Sequence, residues 1–163
     1  MHKRSKLVLV GKAAAGKDYL RTRYENRGFV FGVSYTTRPP RKKANEKEGI
    51  DYYFVNEESF EKMIEEDKFV EYQKFNGWYY GITKEEFERC DIMILNAEAI
   101  ELLSEEYRNR CFVTYIDIPI EVRRSRIIER NDPDDNFERR IQADEEQFRN
   151  FLDFDCRITN HNF

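Results

Sequence analysis

Gly11-Lys-Ala-Ala-Ala-Gly16-Lys17-Asp18 is the stretch whose residue types and spacing carry the clearest chemistry. Two glycines with four residues between them let the backbone turn tightly and aim successive amide N–H groups inward. The next residue, Lys17, adds a cation on a long stem. After a strand and at the start of a helix, this G-x-x-x-x-G-K pattern cradles the phosphates of a nucleoside triphosphate. Gly11, Lys12, Ala13, Ala14, Ala15, Gly16, Lys17 and Asp18 are therefore candidate ATP-binding residues. Lys17 is also a candidate catalytic residue, since its ammonium can reach the β- and γ-phosphates. The pattern departs from its usual form only at the last position, where a Ser or Thr hydroxyl normally meets Mg²⁺. Asp18 offers a carboxylate instead, which a hard cation accepts but which sets a full negative charge beside the triphosphate. Asp18 is accordingly the candidate metal ligand.

The elements around this loop can be read from periodicity. Lys6-Leu-Val-Leu-Val10 is an apolar run ending at Gly11 and reads as a buried strand. Residues 17–27 carry Tyr19, Leu20 and Tyr24 at helical spacing, with Gly28 as a stop. Residues 29–33 look like another strand, after which Arg38-Pro-Pro-Arg-Lys-Lys43 excludes any regular element. The aromatic-rich stretch 51–83 predicts strands at 52–55, 69–75 and 78–80, with a short helix near 57–66. Apolar runs at 92–95 and 112–118 are each followed by a helical pattern, at 97–107 and 120–130. Asp132-Pro-Asp-Asp135 breaks the chain, and a helix resumes over 136–150 on Phe137, Ile141 and Phe148. Strand–helix alternation at both ends, with an antiparallel-looking insert between, predicts an α/β fold: a parallel-sheet core carrying an insertion.

Composition bounds what such a fold can serve. A chain of 163 residues is expected to form one domain, and 40% hydrophobic with 15% aromatic residues excludes a disordered polymer despite 37% charge. A net charge of −4 argues against a general nucleic-acid binder. Positive charge is nonetheless clustered, in Arg38, Arg41, Lys42 and Lys43 and again in Arg123, Arg124, Arg126, Arg130, Arg139 and Arg140, which suits a small anionic ligand. Three widely spaced cysteines suit a reducing compartment rather than a disulfide framework. His2 and His161 are the only histidines, so histidine acid–base catalysis is not expected. With no apolar run near the ~18 residues of a membrane span, the expectation is a cytoplasmic protein without a membrane partner.

The next motifs narrow the reading. Ser34-Tyr-Thr-Thr-Arg38-Pro-Pro-Arg41, Gly49-Ile-Asp51-Tyr52-Tyr-Phe54, Phe69-Val-Glu71-Tyr and Gly77-Trp-Tyr-Tyr80-Gly81 resemble the guanylate kinase family in order and spacing. The resemblance runs from the phosphate loop to about Asn160. It implies a three-layer P-loop core over 1–32, 84–120 and 141–163, an acceptor-nucleotide insertion over 33–83 and a helical lid over 121–140. It further implies Mg²⁺-assisted phosphoryl transfer from ATP to GMP or dGMP. Arg38, Arg41, Tyr52 and Tyr80 fall where the family holds the acceptor phosphate, and guanidinium forks match phosphate oxygens bidentately. Ser34 and Glu71 resemble the guanine contacts; an ionised Glu accepts from both N1–H and the exocyclic amine, a donor pair adenine lacks. Glu98 completes the implied GMP-binding set. In the lid, Arg126, Arg130 and Arg140 align with charge-stabilising arginines, so Lys17, Arg41, Arg130 and Arg140 are the implied catalytic residues. Arg126 and Asn160 join the implied ATP-binding set, Asn160 near the adenine.

Three departures accompany the match. Ile82 stands where the family carries a hydroxyl residue near the base, with Thr83 beside it. Asn96 stands where the family has a strand carboxylate near the metal. The sequence also stops at Phe163, before a final helix that many members carry. Two other functions fit parts of the pattern: a deoxynucleoside monophosphate kinase of broader base choice, and a non-catalytic guanylate-kinase-like module that binds phosphopeptides. The intact Gly11, Gly16 and Lys17 weigh against the second.

Overall fold

Strand β1 (Lys6–Gly11) anchors one of two sheets. It pairs in parallel with β6 (Ile92–Ile94) on one side and β7 (Cys111–Ile116) on the other. A short β8 (Cys156–Ile158) extends β7, so the order is β6-β1-β7-β8, all parallel. Alternation along β1 divides its apolar run between two clusters. Val8 and Val10 join Met93, Val113 and Tyr115 on one face, whereas Leu9 joins Ile92 and Ile116 on the other. Burial on both faces is why the run is continuously apolar. Lys6 is also buried, and its ammonium is held by the Glu88 and Cys90 carbonyls. The computed structural model describes residues 5–41, 45–130 and 137–163, without the side chains of Arg130, Phe137 and Arg139.

Helices cover both faces. Helix α1 (Lys17–Glu25) lays Leu20 and Tyr24 on the Leu9 cluster. On the opposite face, α4 (Ala97–Leu102) buries Ala97, Ala99 and Ile100, and α7 (Phe137–Phe148) buries Phe148. Helix α6 (Ile120–Arg130) follows β7 and packs Val122 and the buried Ile127 inward.

Residues between α1 and β6 build the second sheet, in the order β3-β2-β5-β4. Its strands are β2 (Tyr35–Thr36), β3 (Tyr53–Phe54), β4 (Phe69–Phe75) and β5 (Trp78–Thr83). Strands β4 and β5 form a hairpin whose turn, Asn76-Gly77, has φ of 51° and 84°, the left-handed pair that matches strand twist. Helix α2 (Glu57–Glu65), capped by Asn56, inserts Phe60 between the rings of Phe69 and Tyr79 at 4.5 and 5.0 Å.

Several elements differ from the sequence expectation, the short strands β2 and β8 among them. Residues 29–33 form no strand: Phe31 makes a single bridge to Ile92, and Gly32 then passes so close to Cys90 that a Cβ would lie 2.9 Å from its sulfur. The helix expected over 97–107 is broken, because Leu103 turns extended to bury its side chain and Ser104 opens a separate α5 (Glu105–Arg108). A six-residue helix, α3 (Lys84–Arg89), follows β5 directly, capped by the Thr83 hydroxyl. The expected break at 132–135 lies outside the described residues. No described helix is long and apolar enough to cross a membrane.

Candidate active site

The phosphate loop forms the turn between β1 and α1. Gly11 has no room for a side chain, since a Cβ would meet the Ile116 carbonyl at 2.7 Å. Ala14 and Gly16 adopt left-handed φ of 59° and 105°, which curls the loop around its own amides. Lys17 folds back over it and donates to the Gly11 and Lys12 carbonyls at 2.6 and 3.0 Å. A carboxylate already engages the cradle: Asp144 of α7 accepts from the Ala13 N–H at 3.1 Å and pairs with the buried Arg123 at 3.0 Å. Burial raises the Asp144 pKa, against the Ala13 amide, Arg123, Lys17 and Lys12. Glu145 binds Lys12 at 3.0 Å, and Arg126 donates to the Ala14 and Ala15 carbonyls. Two consecutive acidic residues of α7 and two arginines of α6 therefore clasp the loop.

Two clefts open on either side of this loop. The outer one, about 390 Å³, is lined by Ala14, Gly16, Lys17, Asp18, Arg126 and Phe163 among others. Phe163 lies against Gly16, where a Cβ would meet its ring at 3.1 Å, and its ring centroid is 6.2 Å from that of Tyr19. Asp18 is exposed in the first turn of α1 and faces this cleft beside Lys17. Asn160 is exposed beyond β8, its side chain accepting from the Asn162 N–H. It is not among the residues lining the cleft, though its neighbour His161 approaches Arg126.

The inner cleft, about 240 Å³, lies between the two sheets. Gly11, Ala13 and Lys17 line one side; Ser34, Tyr52, Glu71 and Tyr80 line the other. Glu71 and Gln73 lie two apart on β4, so they share a face, and both are buried. Glu71 Oε2 has no hydrogen-bond partner. Burial pushes its carboxyl up to about 8, against the nearby Ile82 amide and with a further push from Glu98. The chain thus holds a desolvated carboxyl with a spare acceptor, aimed at whatever fills the cleft. Tyr52 and Tyr80 meet edge-on at 6.1 Å, and burial raises the Tyr52 hydroxyl to about 12. Tyr52 therefore stays a neutral donor at any ordinary pH.

Arg38 stands beside Tyr52, 5.4 Å from its ring, and is nearly buried. Both ends of its guanidinium fork bind Glu46 at 2.9 Å, while Nε is buried without a partner. Burial opposes its charge, and Glu46 outweighs that and raises its pKa. The Arg41 amide also donates to Glu46, and its side chain is exposed. An internal carboxylate therefore holds the fork that sequence reasoning assigned to a phosphate. Glu98 is exposed in the first turn of α4 and acts on Glu71 through charge rather than by lining the cleft. Arg140 is half-buried in α7, and the Arg130 side chain lies outside the described residues.

Comparison with known proteins matches this arrangement to one group. The family described as "Guanylate kinase" matches residues 3–163, nearly the whole chain. The chain belongs to the guanylate kinase family. With that membership it is a nucleoside monophosphate kinase, an enzyme of ATP-dependent phosphoryl transfer. A guanylate kinase of Thermus thermophilus is 30% identical over 161 residues, covering 94% of this chain and 72% of that protein. That of Carboxydothermus hydrogenoformans is also 30% identical, over 98% of this chain and 82% of its own length. Among solved structures, guanylate kinase from Anaplasma phagocytophilum shares the fold with a TM-score of 0.71 at 23% identity, covering 98% of this chain and 78% of that one.

Against the family pattern, two of the three departures acquire local reasons. Ile82 is fully buried in the core cluster with Val8 and Met93, and the Thr83 hydroxyl caps α3, so neither offers a hydroxyl to the inner cleft. Asn96 caps α4 by accepting from the Ala99 N–H at 2.8 Å, and its same oxygen accepts from Gln73 at 2.6 Å. Sequence reasoning passed over Gln73, Gln147, Asp144 and Glu46. Glu71-x-Gln73 alternation on a strand already pointed to Gln73; the others needed the tertiary fold.

Proposed function

We propose that the chain transfers the γ-phosphoryl group of ATP to a guanine nucleoside monophosphate, yielding ADP and the diphosphate. The observation that carries this is Glu71: a buried carboxyl with an unpartnered oxygen, in a cleft whose opposite wall is the phosphate loop. Guanine satisfies it with N1–H and exocyclic N–H donors, whereas adenine would leave the carboxyl unpaired in a dry site. In this reading the inner cleft takes the acceptor over residues 33–83, and the outer cleft takes ATP against Arg126 and Phe163.

Transfer then needs positioning more than covalent chemistry. An oxygen of the acceptor phosphate forms a bond to the γ-phosphorus as the bond to the β,γ-bridging oxygen breaks, its electron pair leaving on ADP. Ser34 and Glu71 orient the base, while Tyr52 and Tyr80 donate to the acceptor phosphate. Arg38 turns from Glu46 to that phosphate when it arrives, exchanging one anion for another, and the exposed Arg41 side chain joins it. Lys17 and the loop amides neutralise charge on the oxygens in transfer, with Arg130 and Arg140 added as a lid over 121–140 closes. Among the described residues no three metal-ligating side chains converge, and a kinase Mg²⁺ is held mainly by substrate phosphates and water with one or two carboxylates. Asp18, exposed beside Lys17, fits that role, and the ion would supply charge neutralisation and phosphate alignment there.

The experiment is ADP release measured with ATP and Mg²⁺, with and without GMP. Release that depends on GMP and falls by about 10²–10³ in Lys17→Met is expected, a loss typical of removing one transition-state charge contact. Equal release without GMP would sink the proposal.

A further inference from the structure

The inner cleft contains a second orphaned acceptor besides Glu71. Gln73 Oε1 is buried without a partner, and so is Gln147 Nε2, on α7 across the cleft. The orientation of Gln73 is fixed by its neighbour. Asn96 Oδ1 caps α4, accepting from the Ala99 N–H at 2.8 Å, so the atom facing Gln73 is an oxygen. The Gln73 atom lying 2.6 Å from it must then be the amide nitrogen, and the carbonyl oxygen necessarily faces elsewhere. A buried amide oxygen with no partner costs stability unless a ligand brings a donor.

The register of the hairpin locates that donor along the acceptor. Glu71 is opposite Ile82, and Gln73 is opposite Tyr80. Gln73 is the next same-face residue on β4 after the base-reading Glu71, and it sits level with Tyr80 across the hairpin, with a shorter side chain than the phosphate-reading phenol. The part of a nucleotide between base and phosphate is the sugar, whose donors are hydroxyls. Of these the 2′-hydroxyl is nearer the base. A hydroxyl also donates and accepts, which suits a cleft offering an orphaned acceptor on β4 and an orphaned donor on α7.

We infer that Gln73, positioned by Asn96, accepts a hydrogen bond from the ribose 2′-hydroxyl and makes this enzyme prefer ribonucleotide over deoxyribonucleotide acceptors. The inference rests on the proposed acceptor site. Gln73 becomes a specificity-determining residue for the reaction, and Asn96 acts through it.

The test compares kcat/KM for GMP, dGMP and 3′-deoxy-GMP in the wild-type enzyme, Gln73→Leu and Gln73→Met, with direct binding of each nucleotide by calorimetry. The wild type is expected to favour GMP over dGMP by about 3- to 10-fold, the range of one neutral hydrogen bond, and to tolerate loss of the 3′-hydroxyl better. In either variant the GMP and dGMP values should converge to within about twofold, chiefly by loss on GMP. Gln73→Met keeps the side-chain volume, so it answers for the leucine variant should that fail to fold. A wild type without ribose preference, a preference that survives in Gln73→Met, or a larger penalty for the 3′-deoxy compound overturns the inference while leaving the acceptor site standing. Failure of the wild type to bind any of the three overturns the acceptor site and this inference with it.

Discussion

At the scale of single residues, the proposed base choice turns on Glu71. Its carboxyl is raised to about 8 by burial, so in the empty cleft at neutral pH it is mostly protonated. Guanine's paired N–H donors favour the ionised form. Binding should therefore release a proton, and kcat/KM for GMP should climb between about pH 6.5 and 8, above the phosphate's own titration near 6, then level off. Glu71→Gln should abolish that climb; an unchanged profile in the variant would assign it to another group. Stability has the opposite sign. The native carboxyl keeps its proton to higher pH than the unfolded one, so its contribution is full in acid and is lost as pH rises through about 8. At pH 8 the free Glu71→Gln protein should melt higher by about 2–4 °C, the equivalent of about 1 kcal/mol for a chain of this size. The residue's type and strand context were legible in sequence as a glutamate in Phe69-Val-Glu71-Tyr. Its missing partner was not, because that depends on what β5 and α7 place around it. Arg38 was likewise picked out in sequence as a candidate phosphate fork, whereas its hold on Glu46 joins residues eight apart that no periodicity describes.

At the scale of elements, two contacts position the site. Strand β4 carries Glu71 and Gln73 into the cleft only because β5 approaches closely at Gly81, where a Cβ would lie 2.9 Å from the Glu71 carbonyl and from Phe69. Gly81→Ala should thus cost about 1–3 kcal/mol as overpacking and raise the GMP KM more than the ATP KM; equal effects on both would separate the hairpin from the acceptor site. The second contact is α7 on the phosphate loop through Asp144 and Arg123. Asp144→Ala leaves the buried Arg123 short of its carboxylate, although the Ile118 and Ala13 carbonyls remain as partners. A loss of about 2–4 kcal/mol is expected, read as a lower denaturation midpoint in urea; a change below about 0.5 kcal/mol, the scale of an ordinary surface substitution, would mean the clasp carries little. Long periodic elements such as β1, β4, α2, α6 and α7 were legible in sequence. The break at Leu103 and the lone bridge at Phe31 were not, because burial of one side chain and a close approach to Cys90 override local pattern.

At the scale of the molecule, a parallel sheet and a mixed sheet face each other across one cleft, with the phosphate loop at the end of β1, an inner strand of the first. Strand–helix alternation interrupted by an aromatic stretch implied that division, and the ordered motifs from Ser34 to Gly81 implied the acceptor. Which internal groups cover the site without substrate was beyond sequence, since Glu46, Asp144 and Phe163 come together only through the fold. In the proposed function the two clefts hold ATP and a guanine nucleotide for direct transfer, with Glu71 choosing the base. Its most direct test is kcat/KM for GMP against AMP in the wild-type enzyme and in Glu71→Gln, measured by ADP release. The expected GMP preference is at least about 10³-fold in the wild type, because the wrong base would leave a buried polar group unpaired, and it falls by at least about tenfold in the variant. Comparable use of AMP by the wild type, or a preference untouched by Glu71→Gln, would contradict it.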